Sequence, residues 1–453
     1  MSWGDLVVLA IIGVLIYGGV QLAFRTSAII GGPEISLAPA ALPWYALLSV
    51  GRVIAAYGLS LLFTFTYGSA AARSRRAEQI LLPLLDVLQS VPILSFLPVV
   101  LLSFSALLPT RVATELASIV LIFTSQVWNL TFAWYQSLKT IPNELREVSM
   151  IFGWNRWMCF RLLELPFAAL SLIWNSMMSW AGGWFFLMAA EAFTVGERDF
   201  RLPGLGAYIH EAVMQGNYGA LGWGIGALIF VIVLFDQLVW RPLLAWGNRF
   251  KLEMVEGERP PSSWFYEALR SSRLVRWLSE HWWRPIFERF DALLGRLALR
   301  ELQAAPESSW GERILWGLGG VGLLIGAYRA FEVLTQVSLE HWGVIALGLG
   351  ATLLRVSVAL ALALAWTVPV GVLIGMNLRW AAWLQPLVQI AASVPATAFF
   401  PILAVLCLEL PGGLTLSAML LMLIGTQWYV SSMSSLGQQR FPRISNIQRC
   451  SSI

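Results

Sequence analysis

Three cysteines and three histidines are the first residues to weigh for chemistry, because these types ligate metals or pair as nucleophile and base. Cys159, Cys407 and Cys450 lie far apart with no CxxC spacing, so neither a disulfide framework nor a zinc site is implied. His210, His281 and His341 stand singly with no HExxH pattern, and placement near a membrane interface accounts for them without catalysis. Gly317-Leu-Gly319-Gly320-Val-Gly322 has dinucleotide-loop spacing, but it sits inside an apolar run with no preceding strand. Close helix packing through small residues is the better reading of it. What remains is a set of ionisable residues inside apolar runs: Arg52, Asp86, Glu191, Asp236 and Arg355. Such groups are costly in hydrocarbon and are candidates for lining a polar pathway. Snorkelling arginines or carboxylate pairing within the bundle is the alternative.

The elements that must position them are set by composition. Of 453 residues, 58% are hydrophobic and only 12% charged, and the mean hydropathy is +0.70. That is too little charge to cover soluble domains. Apolar runs of membrane-crossing length recur near 5–24, 42–70, 80–105, 112–136, 167–194 and 217–240, then near 314–335, 344–375, 381–407 and 413–431. The fold class is therefore an all-α polytopic membrane protein of about ten spans. Soluble enzymes, secreted disulfide scaffolds and nucleic-acid binders are set aside. The basic loops after the second, fourth and sixth spans, with Arg73, Arg75, Arg76, Lys139, Arg146, Arg156, Arg161, Arg241, Arg249 and Lys251, alternate consistently. They put those loops and the N-terminus in the cytoplasm. Between about 243 and 312 runs an arginine- and tryptophan-rich polar stretch, read as an amphipathic linker at the membrane surface or packed beneath the bundle.

The two halves repeat at an offset of 303 residues. Arg52 matches Arg355, Thr64 matches Thr367, Gly68 matches Gly371, Arg76 matches Arg379 and Pro83 matches Pro386. Ser90-Val91-Pro92 matches Ser393-Val394-Pro395, and Phe96 and Pro98 match Phe399 and Pro401. Shared prolines and glycines fix backbone geometry, so chance is a poor account of them. Arg76 and Arg379 fall on one side, so the repeats are parallel, with a pathway expected between them. Pro92 and Pro395 are expected to kink their helices, with Gln89 and Gln389 facing the interior. Gln126-Val127-Trp128 reappears as Gln427-Trp428-Tyr429 with a two-residue slip. After Val430 the sequence turns to Ser, Gln and Arg, so the second repeat is expected to be cut short, by a frameshift or premature stop past about residue 430.

After the fourth span stands Ile141-Pro-Asn-Glu-Leu-Arg-Glu147-Val148-Ser149-Met-Ile-Phe-Gly153, which runs on to Leu165-Pro166. Small side chains suit a short helix seated in a partner's groove, and a Gly permits a sharp turn. A Pro is tolerated in the first turn of the next span. The loop resembles the EAA motif of bacterial ABC importer permeases, with Val148 and Ser149 departing mildly from the preferred Ala-Ala. Ser49-Val-Gly-Arg52, Asp86 to Pro92, Leu97-Pro98, Ala190-Glu191 and Pro203-Gly204-Leu205-Gly206 extend the resemblance to permeases of the nitrate, sulfonate and taurine type.

The resemblance implies the type I importer permease fold, with two fused permease repeats. Its domains would be an extra span and external loop at 1–40, a first permease domain at 41–250 with its coupling loop at 139–166, a linker at 251–312 and a second permease domain at 313–453. It implies a multi-pass subunit of the bacterial inner membrane, partnered by an ABC ATPase and a periplasmic solute-binding protein, moving a small solute, with anionic solutes among the candidates. No Walker A sequence occurs, so ATP and magnesium would be held by the ATPase and this chain would catalyse no covalent step. Candidate coupling residues are Glu147, Val148, Ser149, Gly153, Leu165 and Pro166. Candidate pathway residues are Arg52, Gln89, Pro92, Glu191, Arg355, Gln389 and Pro395. Two rivals are an ion-coupled secondary transporter and a non-transporting truncated remnant.

Overall fold

A computed structural model of the chain describes residues 32–195, 198–250, 263–272, 338–376 and 410–439, with isolated positions between them. The expected spans 5–24, 314–335 and 381–407 lie outside the described residues apart from such isolated positions, as do most of the linker, Gln389 and Pro395.

The described residues are mostly helical and hold one short ladder, β1 (Thr194–Val195) with β2 (Arg198–Asp199), paired antiparallel as Thr194 with Asp199 and Val195 with Arg198. Among the described residues, five helical stretches are long and apolar enough to cross a membrane: Pro39–Arg73, Arg111–Lys139, Arg156–Glu191, Tyr218–Phe250 and Leu339–Leu373. Leu97–Leu107 and Gly413–Thr426 are shorter apolar helices. The first long stretch contains α1 (Leu42–Phe63), a π-turn (Thr64–Gly68) and α2 (Ser69–Arg73).

The expected span 80–105 is not one helix. The chain forms α3 (Arg75–Ser90), started by the Ser74 hydroxyl accepting from the Ala77 amide, and then α4 (Ile93–Leu107). Val91 and Pro92 between them are extended, at φ −74°, ψ 124° and φ −59°, ψ 117°. The proline ring disfavours helical backbone at the preceding residue, so Pro92 ends one helix and caps the next rather than kinking a single one. Pro83 and Pro98, by contrast, lie inside their helices.

α5 (Thr110–Lys139) leads to the short α6 (Asn143–Ile151) and α7 (Arg156–Cys159), then a π-turn (Phe160–Glu164) and α8 (Leu165–Glu191). Beyond the ladder come α9 (Leu205–Met214), α10 (Tyr218–Phe235), a π-turn (Asp236–Trp240) and α11 (Arg241–Gly247). α12 (Trp264–Ser271) follows, capped by Ser263, and in the second half α13 (Leu339–Met376) and α14 (Gly413–Gln439).

Leu165-Pro166 does not open the span as expected, because helix runs without interruption from Arg156 to Glu191. Proline has no N–H for the carbonyl four residues back, and its ring collides with that carbonyl. The π-turn just before it widens the helix, and the Leu165 amide reaches back five residues to the Phe160 carbonyl. Arg241-Pro242 repeats the device, with the Arg241 amide bonded to the Asp236 carbonyl.

The described residues fall into two compact units. One holds Val50–Gly183 and the chain from Leu234; the other holds the chain up to Ser49, Trp184–Val233 and the chain from Thr335. In the first, a fully packed cluster of Leu130, Trp134, Leu138, Ile141, Ala168 and Leu172 joins α5 to the start of α8. Trp134 meets Phe65 and Phe160 edge-on at 5.0 and 5.6 Å, and its indole N–H donates to the Ser69 hydroxyl at 3.0 Å. Gly68 makes room for that ring: a Cβ there would stand 2.8 Å from Trp134 Cδ1.

In the second unit, the Tyr208 hydroxyl donates to the Leu37 carbonyl at 2.9 Å, and its ring packs against Tyr45. α13 packs against α14 and buries Ala359, Ala363, Thr367 and Gly371, a stripe at i, i+4, i+8 and i+12.

Candidate functional site

The loop between α5 and α8 folds from local signals. Pro142 precedes α6, and Glu144 stands in the first turn, where a negative charge suits the helix dipole. α6 ends in a Schellman closure: the Gly153 amide bonds the Met150 carbonyl and the Trp154 amide bonds the Ser149 carbonyl, both at 3.0 Å. Gly153 has φ +61°, the left-handed region that a side chain disfavours, so the expected glycine turn is present. Asn155 then caps α7, its side chain accepting from the Met158 amide at 2.8 Å.

One face of α6 is tied down. Ser149 is buried, and its hydroxyl folds back onto the Arg146 carbonyl at 2.7 Å, so it occupies little more room than the alanine it replaces. Arg146 donates to the Leu138 carbonyl at the end of α5, and Leu145 packs on the buried cluster. The other face is open. Glu147 is exposed, and Val148, Met150, Ile151 and Phe152 are 39%, 71%, 81% and 70% exposed. Sequence reasoning singled out Val148 but missed the other three. Consecutive apolar residues at the end of a polar-flanked helix were the signal available.

Five of the seven candidate pathway residues, Arg52, Gln89, Pro92, Glu191 and Arg355, are described. Arg52 is 4% exposed and grips Glu115 with two hydrogen bonds, Nε to Oε2 at 2.7 Å and Nη2 to Oε1 at 2.6 Å. Arg355, its counterpart, is half-buried. Gln89 is exposed rather than turned to the packed interior, and donates to Asp86 at 3.1 Å. Pro92 is exposed at the α3–α4 break.

Glu191 is fully buried at the end of α8. It accepts from the Ser49 hydroxyl at 2.6 Å and from the Gly206 amide at 2.7 Å, while Ser49 Oγ accepts from the Leu205 amide at 3.0 Å. The carboxylate thus caps α9 at its N-terminus, where its charge is favoured. Gly204 allows the approach, since a Cβ there would lie 2.2 Å from Oε1. The Pro203-Gly204-Leu205-Gly206 motif is explained by this tie.

Two ionic clusters flank these helices. Glu78 at the start of α3 accepts from Tyr135 and from Lys139 at 2.7 Å. Those hydrogen bonds hold its carboxyl below the usual range. Beyond α8, Arg201 chelates Asp199 and reaches Glu211. Burial alone would raise the Asp199 carboxyl, but the Arg201 hydrogen bonds and charge carry it below its ordinary value. Burial pushes the neighbouring His210 imidazole down, with the Arg201 charge adding to it and Glu211 and Asp199 partly offsetting it. No grouping of His, Cys, Asp and Glu able to hold a metal occurs among the described residues.

Residues 63–239 match the family model of the binding-protein-dependent transport system inner membrane component. That stretch includes the loop between α5 and α8 and Glu191. It is similar to the permease domains of ABC importers. Similar proteins agree in kind. The riboflavin transport system permease protein RibX of Chloroflexus aurantiacus is 31% identical over 141 residues, 31% of this chain and 48% of that protein. The bicarbonate transport system permease protein CmpB of Synechococcus elongatus is 23% identical over 210 residues, 46% of this chain and 69% of CmpB. The nitrate import permease protein NrtB of Leptolyngbya laminosa is 26% identical over 197 residues, 43% of this chain and 66% of NrtB. The chain therefore spans about half to two thirds of these relatives, and the permease domain accounts for the multi-pass helical architecture.

Proposed function

We propose that the permease domain moves a small, oxygen-bearing, anionic solute inward across a bacterial inner membrane, driven by a separate ABC ATPase that docks on α6 and α7. A periplasmic solute-binding protein would deliver the solute at the opposite face, with the N-terminus in the cytoplasm. The observation that carries the docking reading is the divided face of α6. Arg146, Leu145 and Ser149 fix it to the bundle, while Glu147, Val148, Met150, Ile151 and Phe152 stand free. An exposed apolar ridge edged by charge is the surface expected of a helix seated in another protein's groove. A load applied there would reach the cluster around Trp134 through Leu145 and Phe160. The solute class rests on the names of the bicarbonate and nitrate relatives. ATP and magnesium belong to the ATPase in this reading.

The test is co-purification of the ATPase with the full chain. Gly153→Pro, Glu147→Arg and Ile151→Asp are expected to reduce the bound ATPase at least tenfold while the permease is recovered in normal amounts. Undiminished ATPase in all three variants refutes the docking role.

A further inference from the structure

We propose that the elbow formed by α11 and α12 is a membrane-surface anchor that binds anionic lipid headgroups where the last described span of the first half leaves the bilayer. The stretch Tyr218–Phe250 fixes its place. Its 33 residues come to about 50 Å of helix, against a hydrocarbon core of about 30 Å. A crossing that begins at Tyr218 therefore leaves the core near the ion pair of Asp236 with Arg241, 3.0 Å apart. α11 and the turn Asn248–Phe250 then run through the headgroup zone, where Trp246 is the expected residue type. α12 packs against α11, so it lies at that same level.

The residues of α12 are divided for such a place. Trp264, Phe265, Ala268 and Leu269 share one side of the helix, and Tyr266, Glu267, Arg270 and Ser271 share the other. Eight residues are too few to hold a helix in water unaided, so the apolar side needs cover. α11 covers it only in part. Trp264 is 63% exposed, Ala268 and Leu269 are exposed, and Leu243 of α11 is exposed as well. Tryptophan and leucine on one side with arginine on the other is the pattern of a helix lying in the interface. The basic groups match an anionic surface. The Arg249 guanidinium lies 4.6 Å from the ring centres of both Trp246 and Phe250, and this exposed residue has no ion-pair partner among the described residues. A guanidinium stacked on rings still offers a fork of N–H groups to a phosphate. Arg270 is exposed and likewise without an acidic partner among the described residues, and Arg273 and Arg276 follow it in sequence at a three-residue spacing. Against them stands Glu267 alone between Arg259 and Ser279. A groove in a protein partner would call for the apolar side only; the stacked arginine at the exit of a span is what favours lipid.

The test uses the full chain, its three cysteines replaced by serine, in vesicles of phosphatidylcholine with and without phosphatidylglycerol. A bimane label is placed on Ala268→Cys and, for the opposite side, on Glu267→Cys. Nitroxide-labelled lipid is expected to quench the label at 268 and iodide the label at 267, and phosphatidylglycerol should strengthen the lipid quenching at 268. Arg249→Gln and Arg270→Gln should each raise severalfold the phosphatidylglycerol content that half-saturates this gain, with quenching in phosphatidylcholine alone unchanged. If the cysteine-free chain fails to purify, amide exchange across 264–271 in the unsubstituted chain carries the test: phosphatidylglycerol should slow it, and both glutamine variants should undo the slowing. Three results overturn the proposal: iodide reaching 268 as freely as 267, protection at 268 that arises only when ATPase is added, or indifference to phosphatidylglycerol in the readout used. No ATPase or solute is needed, so this result and the co-purification result stand or fall separately.

Discussion

Truncating Glu191 tests the tie that anchors α9. Glu191→Ala leaves two buried donors without their acceptor, the Ser49 hydroxyl and the Gly206 amide. A buried donor stripped of its partner costs about 1–3 kcal/mol, so two give roughly 2–6 kcal/mol. Against this stands relief from holding a carboxylate out of water, a term that can exceed the attraction it earns when pairing is poor. Pairing here is good, with both oxygens engaged and the charge at a helix N-terminus, so a net loss of about 3 kcal/mol is expected. Glu191→Gln keeps one acceptor oxygen but turns an NH₂ toward the other donor, and should lose about half as much. Gly204→Ala reaches the same tie from the other side. Its φ of 176° is extended backbone that any residue adopts, so the whole cost comes from the methyl 2.2 Å from Oε1. Overpacking of that kind costs about 1–3 kcal/mol. Unfolding in mixed detergent and SDS gives the ordering, and amide exchange across 205–214 locates it. A Glu191→Ala protein within ~0.5 kcal/mol of the parent, or less protected elsewhere than in α9, would refute the reasoning.

Three further outcomes follow from the geometry. Gly153→Ala places a side chain at φ +61° and should destabilise the turn by about 1 kcal/mol, read as faster amide exchange at 149–154 with global stability nearly unchanged. Trp134→Ala empties the centre of the packed cluster and should cost about 3–5 kcal/mol, whereas Trp134→Phe should lose chiefly the Ser69 hydrogen bond, about 1 kcal/mol. Acid should loosen the segment after α8. The His210 pKa is lowered in the folded chain, so the unfolded chain takes the proton first and stability falls as pH drops below about 6.5. Asp199, also lowered, adds a second loss as pH falls below about 3.9. His210→Asn should flatten the first step in melts between pH 7.5 and 5.5, and an unchanged slope would count against it.

The spans and the glycine turn of the loop between α5 and α8 were legible because their signals are local. Charge-poor apolar runs define three of the five long described stretches, Pro39–Arg73, Arg111–Lys139 and Leu339–Leu373, to within a few residues at both ends, and Gly153 announced its turn by residue type alone. The break at Pro92 was only half legible: the proline was noticed, but the apolar character of 80–105 hid that Val91 would be driven out of the helical region. Pro166 misled for a related reason. A proline in a first turn and a proline after a π-turn look identical in sequence, and only the backbone distinguishes them. Partners in space were illegible. Arg52 with Glu115, and Glu191 with Ser49, join residues 63 and 142 positions apart, and no spacing rule connects them.

The repeat itself explains why the two halves present different surfaces. Along α1 and into the π-turn after it, Ser60 and Thr64 are fully buried, and their counterparts Ala363 and Thr367 are buried as well. Ala56 and Ala359 agree too, at 0% and 2% exposed. This stripe faces the following long helix in each half, which the sequence repeats, so its burial repeats. A neighbouring stripe behaves differently. Val53 is fully buried, and Tyr57 is half-buried against Trp180 of α8 and Trp240 of the last π-turn, at 5.6 and 6.3 Å between ring centres. At the matching positions, Val356 and Leu360 are each 44% exposed. The substitution of leucine for tyrosine fits that difference. The Tyr57 hydroxyl has Ser176 of α8 to bond at 2.8 Å, whereas a hydroxyl on the open stripe of α13 would face apolar surroundings with no such acceptor among the described residues. The first half thus keeps a polar tip where α8 supplies its partner, and the second half carries leucine at the matching, more exposed position.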